Sequence, residues 1–253
     1  MGSLGWSQRR GAVAVLAWCA MAWASADQVR VAVAANFAAP MREIAQQFEL
    51  RTGHEVLVSL GATGALYAQI QQGAPFDVFV AADSERPRLA EQAGLAVAGT
   101  AFVYARGRLV LWSADGSVVD PRARVLSEGR FNKLALADPV LAPYGMAARA
   151  VLTRMGLLDA TQARWVVGTS IAQAYQFVAT GNADLGFVAL SQVLRGGRIA
   201  RGSAWVVPAD WHPPIAQSAV LLARAAQQPA AAALLAYLGS PAAREVMQAH
   251  GYE

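Results

Sequence analysis

The sequence is short of the residues that most often carry chemistry. It has one cysteine, Cys19, in 253 residues, and that cysteine lies in an apolar leader. From Asp27 onward a disulfide, a thiolate metal centre and a cysteine nucleophile are therefore excluded. Lysine occurs once, at Lys133, which reads as composition rather than function. The three histidines, His54, His212 and His250, fall at a turn, in a proline-rich connector and in the C-terminal tail. None has metal-ligand spacing. No G-x-S-x-G elbow and no P-loop is present. Without Arg9 and Arg10 the 21 basic residues become 19 against 17 acidic ones, a net charge of +2. The arginines are scattered and lack interleaved aromatics, so a nucleic-acid partner is not expected. No segment after Ala26 has the length and apolarity of a membrane-spanning helix.

What is present begins with a leader. Met1 to Ala26 carries Arg9-Arg10, an apolar run from Gly11 to Ala24, and Ala24-Ser25-Ala26 before Asp27. This is the order of a secretory signal peptide, and the run is too short to span a bilayer comfortably. The flanks of Arg9-Arg10 match a twin-arginine signal poorly. Trp18 is too bulky for the small residue expected before a lipidated cysteine. The mature chain is expected to be exported to the periplasm, soluble and not inserted in the membrane. With 55% hydrophobic residues it can build a large core.

Strand and helix patterns alternate from Asp27 to the end, which predicts an α/β fold of parallel sheets with crossover helices. Strands are expected from Val29 to Ala34, Glu55 to Leu60, Asp77 to Ala81, Lys133 to Ala137, Trp165 to Val167, Leu185 to Leu190, Ala204 to Val207 and Ile215 to Leu222. Helices are expected from about Ala39, then from Ala65, Asp83, Met146, Ile171, Pro229 and Pro241. Ala101 to Trp112 reads as a strand pair, or a bent strand interrupted by Gly107, that crosses between lobes. Crossings near Arg108 and Ala209 would leave 27–108 plus 210–253 as lobe I and 109–209 as lobe II.

In open α/β sheets, ligands bind beyond the carboxyl ends of the strands. Four turns occupy that position: Ala35-Asn36-Phe37, Gly61-Ala62-Thr63-Gly64, Ala142-Pro143-Tyr144-Gly145 and Thr169-Ser170-Ile171. They hold amide, hydroxyl, phenol and small side chains, with no Lys, Arg, His, Asp or Glu. Neutral donors at helix starts suit a fully deprotonated oxyanion, because unpaired N–H groups and the helix dipole both favour negative charge. Taken singly, each residue has a plainer reading. Asn36 and Thr63 could be helix caps, Tyr144 a surface aromatic, Ile171 a core residue, and Asp83 the cap of its helix.

AANFAAPMREIAQQF, GATGALYAQIQQGAPFDVFVAAD, ADPVLAPYGMAA and LGFVALSQV together resemble the periplasmic molybdate-binding proteins of ABC importers, over about residues 27 to 252. The resemblance implies a two-lobed, type II periplasmic-binding-protein fold. Each lobe is a mixed, mostly parallel sheet flanked by helices, with two hinge crossovers. It also implies no catalysis and no resident cofactor. The implied ligand is molybdate or tungstate, molybdenum being held only as the bound anion, and the implied partner is the membrane permease of an importer. The receptor is expected to act as a monomer. By resemblance the first turn supplies Asn36 and the backbone of Ala35, the second Thr63 (where many relatives have serine), the third Tyr144, in the loop from which one branch supplies an aromatic hydroxyl, and the fourth the backbone N–H of Ile171. Ala189 stands where one branch has tyrosine and receives no ligand role. The alternatives are a receptor for another oxyanion or a small organic acid, or an exported hydrolase or transferase. A missing arginine clamp weighs against a carboxylate ligand, and a missing nucleophile–base pair against the enzymes.

Overall fold

A computed structural model describes residues 2 and 27–253. The segment assigned above to a signal peptide lies outside the described residues, apart from Gly2. In chain order the elements are β1 (Gln28–Ala34), α1 (Ala38–Thr52), β2 (Glu55–Gly61), α2 (Thr63–Gln71), β3 (Val78–Ala81), α3 (Glu85–Gln92), β4 (Phe102–Gly107) and β5 (Leu109–Ser113). Then come α4 (Arg124–Ser127), β6 (Leu134–Ala137), α5 (Pro143–Arg154), α6 (Leu158–Gln162), β7 (Trp165–Gly168), α7 (Ile171–Ala179), β8 (Leu185–Ala189) and α8 (Leu190–Val193). The chain ends with β9 (Leu194–Arg195), β10 (Arg198–Ile199), β11 (Ser203–Val206), β12 (Ile215–Leu221), α9 (Pro229–Leu238) and α10 (Pro241–Ala249).

Two five-stranded sheets result, in the orders β2-β1-β3-β12-β4 and β11-β5-β8-β6-β7. In the first, β1 runs parallel to β2 and β3, while β12 is antiparallel to β3 and β4. In the second, β6 runs parallel to β7 and β8, while β5 is antiparallel to β8 and β11. The parallel strands are those joined by crossover helices, as short apolar strands alternating with helices require.

β1 is buried on both faces, and its side chains divide by the strand period of two. Val29, Val31 and Val33 pack with Met41, Ile44 and Phe48 of α1 and with Leu234, Leu238 and Met247 of the last two helices. Ala32, on the other face, packs with Leu66, Ile70 and Phe79. In the second sheet Leu109 and Leu111 face α5 through Val151 and Leu152, while Val110 and Trp112 face Val178 of α7.

The chain passes from the first sheet to the second at Arg108, the single residue between β4 and β5. It returns between Val206 and Ile215, through a 3-10 turn at Ala209–Trp211 and Pro213-Pro214. The stretch from Ala101 to Trp112 is thus two strands in different sheets. Gly107, at the first passage, cannot carry a side chain, because a Cβ there would collide with the hydroxyl of Tyr144.

Two of the expected helices start earlier than their apolar periodicity suggests. α2 opens at Thr63 and α5 at Pro143. Proline presets the first helical φ and has no N–H to leave unpaired, and the residue before it, Ala142, is extended as such a residue must be. Thr63 and Tyr144 therefore stand in first helical turns rather than in loops. The short α4, α6 and α8 and the β9–β10 hairpin carry too few residues to show a period, and the sequence reading did not contain them.

Candidate functional site

Four strand-to-helix junctions meet where the two sheets face each other. β1 ends at Ala34 and enters α1 through a 3-10 turn at Ala35–Phe37, while β2 enters α2 through Ala62. β6 enters α5 through residues 138–142, and β7 enters α7 through Thr169 and Ser170. All five sequence candidates, Ala35, Asn36, Thr63, Tyr144 and Ile171, line one small cavity. Each of the five is buried. The cavity wall includes Ala82 and Ala142 and, among the described residues, contains no Lys, Arg, His, Asp or Glu.

The donors come from backbone geometry. Thr63, Tyr144 and Ile171 lie in the first turns of α2, α5 and α7, and Ala35 and Asn36 open the 3-10 turn. N–H groups at such positions have no intrahelical carbonyl to bind. Three helix N-termini thus aim at one small space, and their dipoles make it electropositive without a formal charge. The Thr63 hydroxyl accepts a 3.0 Å hydrogen bond from the Ala82 N–H. A hydroxyl whose lone pair is so engaged keeps its own proton to donate. The plainer reading of Thr63 as a side-chain cap does not hold, since α2 has no side-chain cap bond.

Two of the site side chains have partners within the protein. The Asn36 amide donates to the Gln217 side-chain oxygen at 2.7 Å and to the Tyr252 hydroxyl at 2.9 Å, so both of its protons are committed. The Asn36 backbone carbonyl accepts from the hydroxyls of Tyr252 (2.8 Å) and Ser191 (2.9 Å). The Tyr144 hydroxyl lies against Gly107, beside the Gln217 amide. Burial, then the neighbouring Tyr252 and Tyr104, push its pKa well above the usual value, and it stays neutral at any physiological pH. These groups form a buried polar knot at the hinge, adjoining the cavity. Gln217, Tyr252 and Ser191 were not singled out from sequence. They lie 181, 216 and 155 residues from Asn36. The one available signal was Gln217, an amide inside the apolar strand IAQSAVLL, which had to find a partner.

Other residues weighed above take plain roles. Asp83 accepts from the Arg86 N–H at 2.9 Å at the start of α3 and pairs with the Arg86 guanidinium. Asp138 accepts from the N–H groups of Val140 and Leu141. His54 accepts from the Asp27 N–H, His250 meets Glu43, and His212 contacts the Pro213 carbonyl. None lines the cavity. Among the described residues no cluster of three His, Cys, Asp or Glu could hold a metal ion.

The family described as bacterial extracellular solute-binding protein matches residues 29–253. A molybdate-binding protein ModA of Azotobacter vinelandii is 55% identical over 90% of this chain and 91% of its own length. The one of Rhodobacter capsulatus is 48% identical over 90% and 89%. Among solved structures, a periplasmic molybdate-binding protein of Azotobacter vinelandii superposes with a TM-score of 0.86 at 40% identity, covering 89% of this chain and 98% of its own.

Proposed function

Because the chain belongs to the bacterial extracellular solute-binding proteins, in the branch of the molybdate-binding proteins, we infer that it is a periplasmic receptor that captures molybdate between its two lobes and passes it to an ABC importer. The observation that carries the reading is the convergence of four strand-to-helix junctions on one buried cavity with neutral donors and no charged side chain. A dianion without protons needs donors only, and first-turn N–H groups together with the Thr63 hydroxyl supply them. We assign the contacts to the N–H groups of Ala35, Asn36, Tyr144 and Ile171 and to the Thr63 side chain. The Asn36 side chain acts from behind, by holding its own backbone carbonyl through the Tyr252 hydroxyl.

Residues 27–108 with 210–253 would then form one lobe and 109–209 the other, rotating about Arg108 and the return near Ala209. Tungstate, of nearly the same size and charge, would bind as well. The receptor would act as a monomer, without catalysis and without a resident cofactor, after export on its N-terminal signal. A wall free of carboxylates disfavours a protonated anion such as hydrogen phosphate, which needs an acceptor. Titration calorimetry with molybdate, tungstate, sulfate and phosphate tests the reading. Tight binding of the first two and weak binding of the others is expected. Equal binding of all four, or none to molybdate, contradicts it. A receptor for another oxyanion or a small organic acid remains the second reading, and the same titration separates it.

A further inference from the structure

The two sheets also touch directly at the cleft, apart from any contact with an ion. The loop at 138–142 is folded back by Asp138, whose side chain accepts from the N–H groups of Val140 (2.7 Å) and Leu141 (3.0 Å). That turn presents two successive carbonyls to the opposite lobe. The Leu141 carbonyl accepts from the Gly64 N–H at 2.9 Å. The Val140 carbonyl accepts from the Arg86 guanidinium at 3.2 Å. Arg86 is in turn held by Asp83, three residues earlier. Gly64 and Arg86 follow β2 and β3 of the first sheet, and the loop follows β6 of the second.

Gly64 has a helical backbone without positive φ, so the chain does not need glycine there for its conformation. It needs glycine for approach. A Cβ at this position would lie 2.9 Å from the Leu141 carbonyl oxygen and 3.1 Å from the Arg86 guanidinium. Within its own lobe, in the first turn of a helix, alanine would be the better residue.

We propose that Gly64 and Arg86 form a latch, closing on the carbonyls of Leu141 and Val140, that sets how long the cleft stays shut over its ligand. The proposal rests on the site reading above. The latch touches protein and not the ion. Its contribution is therefore the same for every anion the cavity accepts, and it acts on release rather than capture. A residue that touches the ion behaves differently, since its loss changes the preference among ions.

Stopped-flow binding of molybdate and of tungstate tests this on three variants. Gly64→Ala should keep or raise the melting temperature of the ligand-free protein and raise koff at least about tenfold, because the added methyl props the cleft open and costs its hydrogen bond. Asp83→Asn with Arg86→Gln leaves the net charge unchanged and keeps a capping residue at 83. It should raise koff about three- to tenfold, with kon within twofold of wild type. Arg86→Lys should recover part of that loss. For every variant the molybdate/tungstate affinity ratio should match wild type. Unchanged koff in both Gly64→Ala and the double variant overturns the latch, as does an effect confined to kon. A changed ratio assigns these residues to the ion site instead.

A ligand-independent arm separates failure of the latch from failure of the site reading. Spin labels at Gln72→Cys and Thr153→Cys, both exposed and on opposite lobes, report lobe separation in the ligand-free protein. Gly64→Ala should shift that distance distribution to longer values, and an identical distribution overturns the latch whatever the wild type binds.

Discussion

Two buried polar regions adjoin each other between the lobes, and they use their donors in opposite ways. In the hinge knot both donors of the Asn36 side-chain amide are matched by Gln217 and Tyr252, while Tyr252 and Ser191 donate to the Asn36 backbone carbonyl. In the cavity the N–H groups of Thr63, Tyr144 and Ile171 stand at helix starts with no intrahelical partner. Unpaired buried donors are costly when left so. The knot pairs its own donors, whereas on the function proposed above the cavity keeps its donors for a ligand. Asn36 belongs to both regions, its N–H at the cavity and its side chain and backbone carbonyl in the knot. Tyr144 is divided in the same way, with its N–H at the cavity and its hydroxyl at Gly107.

The contrast can be broken at either region, with different readouts. The largest effect on binding is expected from Ile171→Pro. The first helical position accepts proline, and Ser170 before it is already extended. The substitution therefore removes one cavity donor while keeping α7. Affinity for molybdate by calorimetry should fall by about 1.5–3 kcal/mol, the weight of a hydrogen bond to a charged group.

Thr63→Ala should cost about 1–2 kcal/mol of affinity. It should also lower the melting temperature, because the Ala82 N–H loses its acceptor. Thr63→Ser keeps both bonds and should bind like wild type.

Tyr252→Phe sharpens the comparison from the other side. It leaves one Asn36 proton unmatched, so denaturant unfolding should show a loss of about 1–2 kcal/mol of stability, with a smaller loss of affinity than Thr63→Ala. Tyr144→Phe should behave like Tyr252→Phe rather than like Thr63→Ala.

The smallest effect is expected from pH. Among the described residues of the cavity wall Tyr144 alone has an ionisable side chain, and burial holds it protonated. Affinity should stay flat through the neutral range. Stability has a different limit. Burial raises the Tyr252 pKa to about 12, against about 10 in an unfolded chain. As pH climbs through that window the unfolded state loses its proton first, so stability is full below about 10 and declines between about 10 and 12. Urea midpoints across that range check the direction.

Much of this was legible in the chain. DVFVA, LGFVA and VRVAVA are short apolar strands between helix patterns, and they became the parallel cores of the two sheets. The four junction turns were readable because a strand that runs directly into a helix must leave N–H groups free. The four converge on a single wall. What was not legible is which way the side chains turn. The Asn36 amide faces Gln217 and Tyr252, 181 and 216 residues away, and no local pattern marks such a pairing. The Tyr144 hydroxyl follows from the absence of a side chain at Gly107, which in sequence resembled a simple strand break. The cross-cleft bonds of Gly64 and Arg86 were hidden for the same reason, since a glycine in G-A-T-G has a sufficient local explanation as a turn.

On the proposed function a tetrahedral dianion is held by neutral donors in this one cavity. Crystals grown with molybdate and measured at the molybdenum absorption edge test it directly. A single anomalous peak is expected, bounded by Ala35, Asn36, Thr63, Tyr144 and Ile171, with oxygens in hydrogen-bond reach of their N–H groups and of the Thr63 hydroxyl. A peak elsewhere, or one in contact with an arginine or lysine side chain, would contradict it.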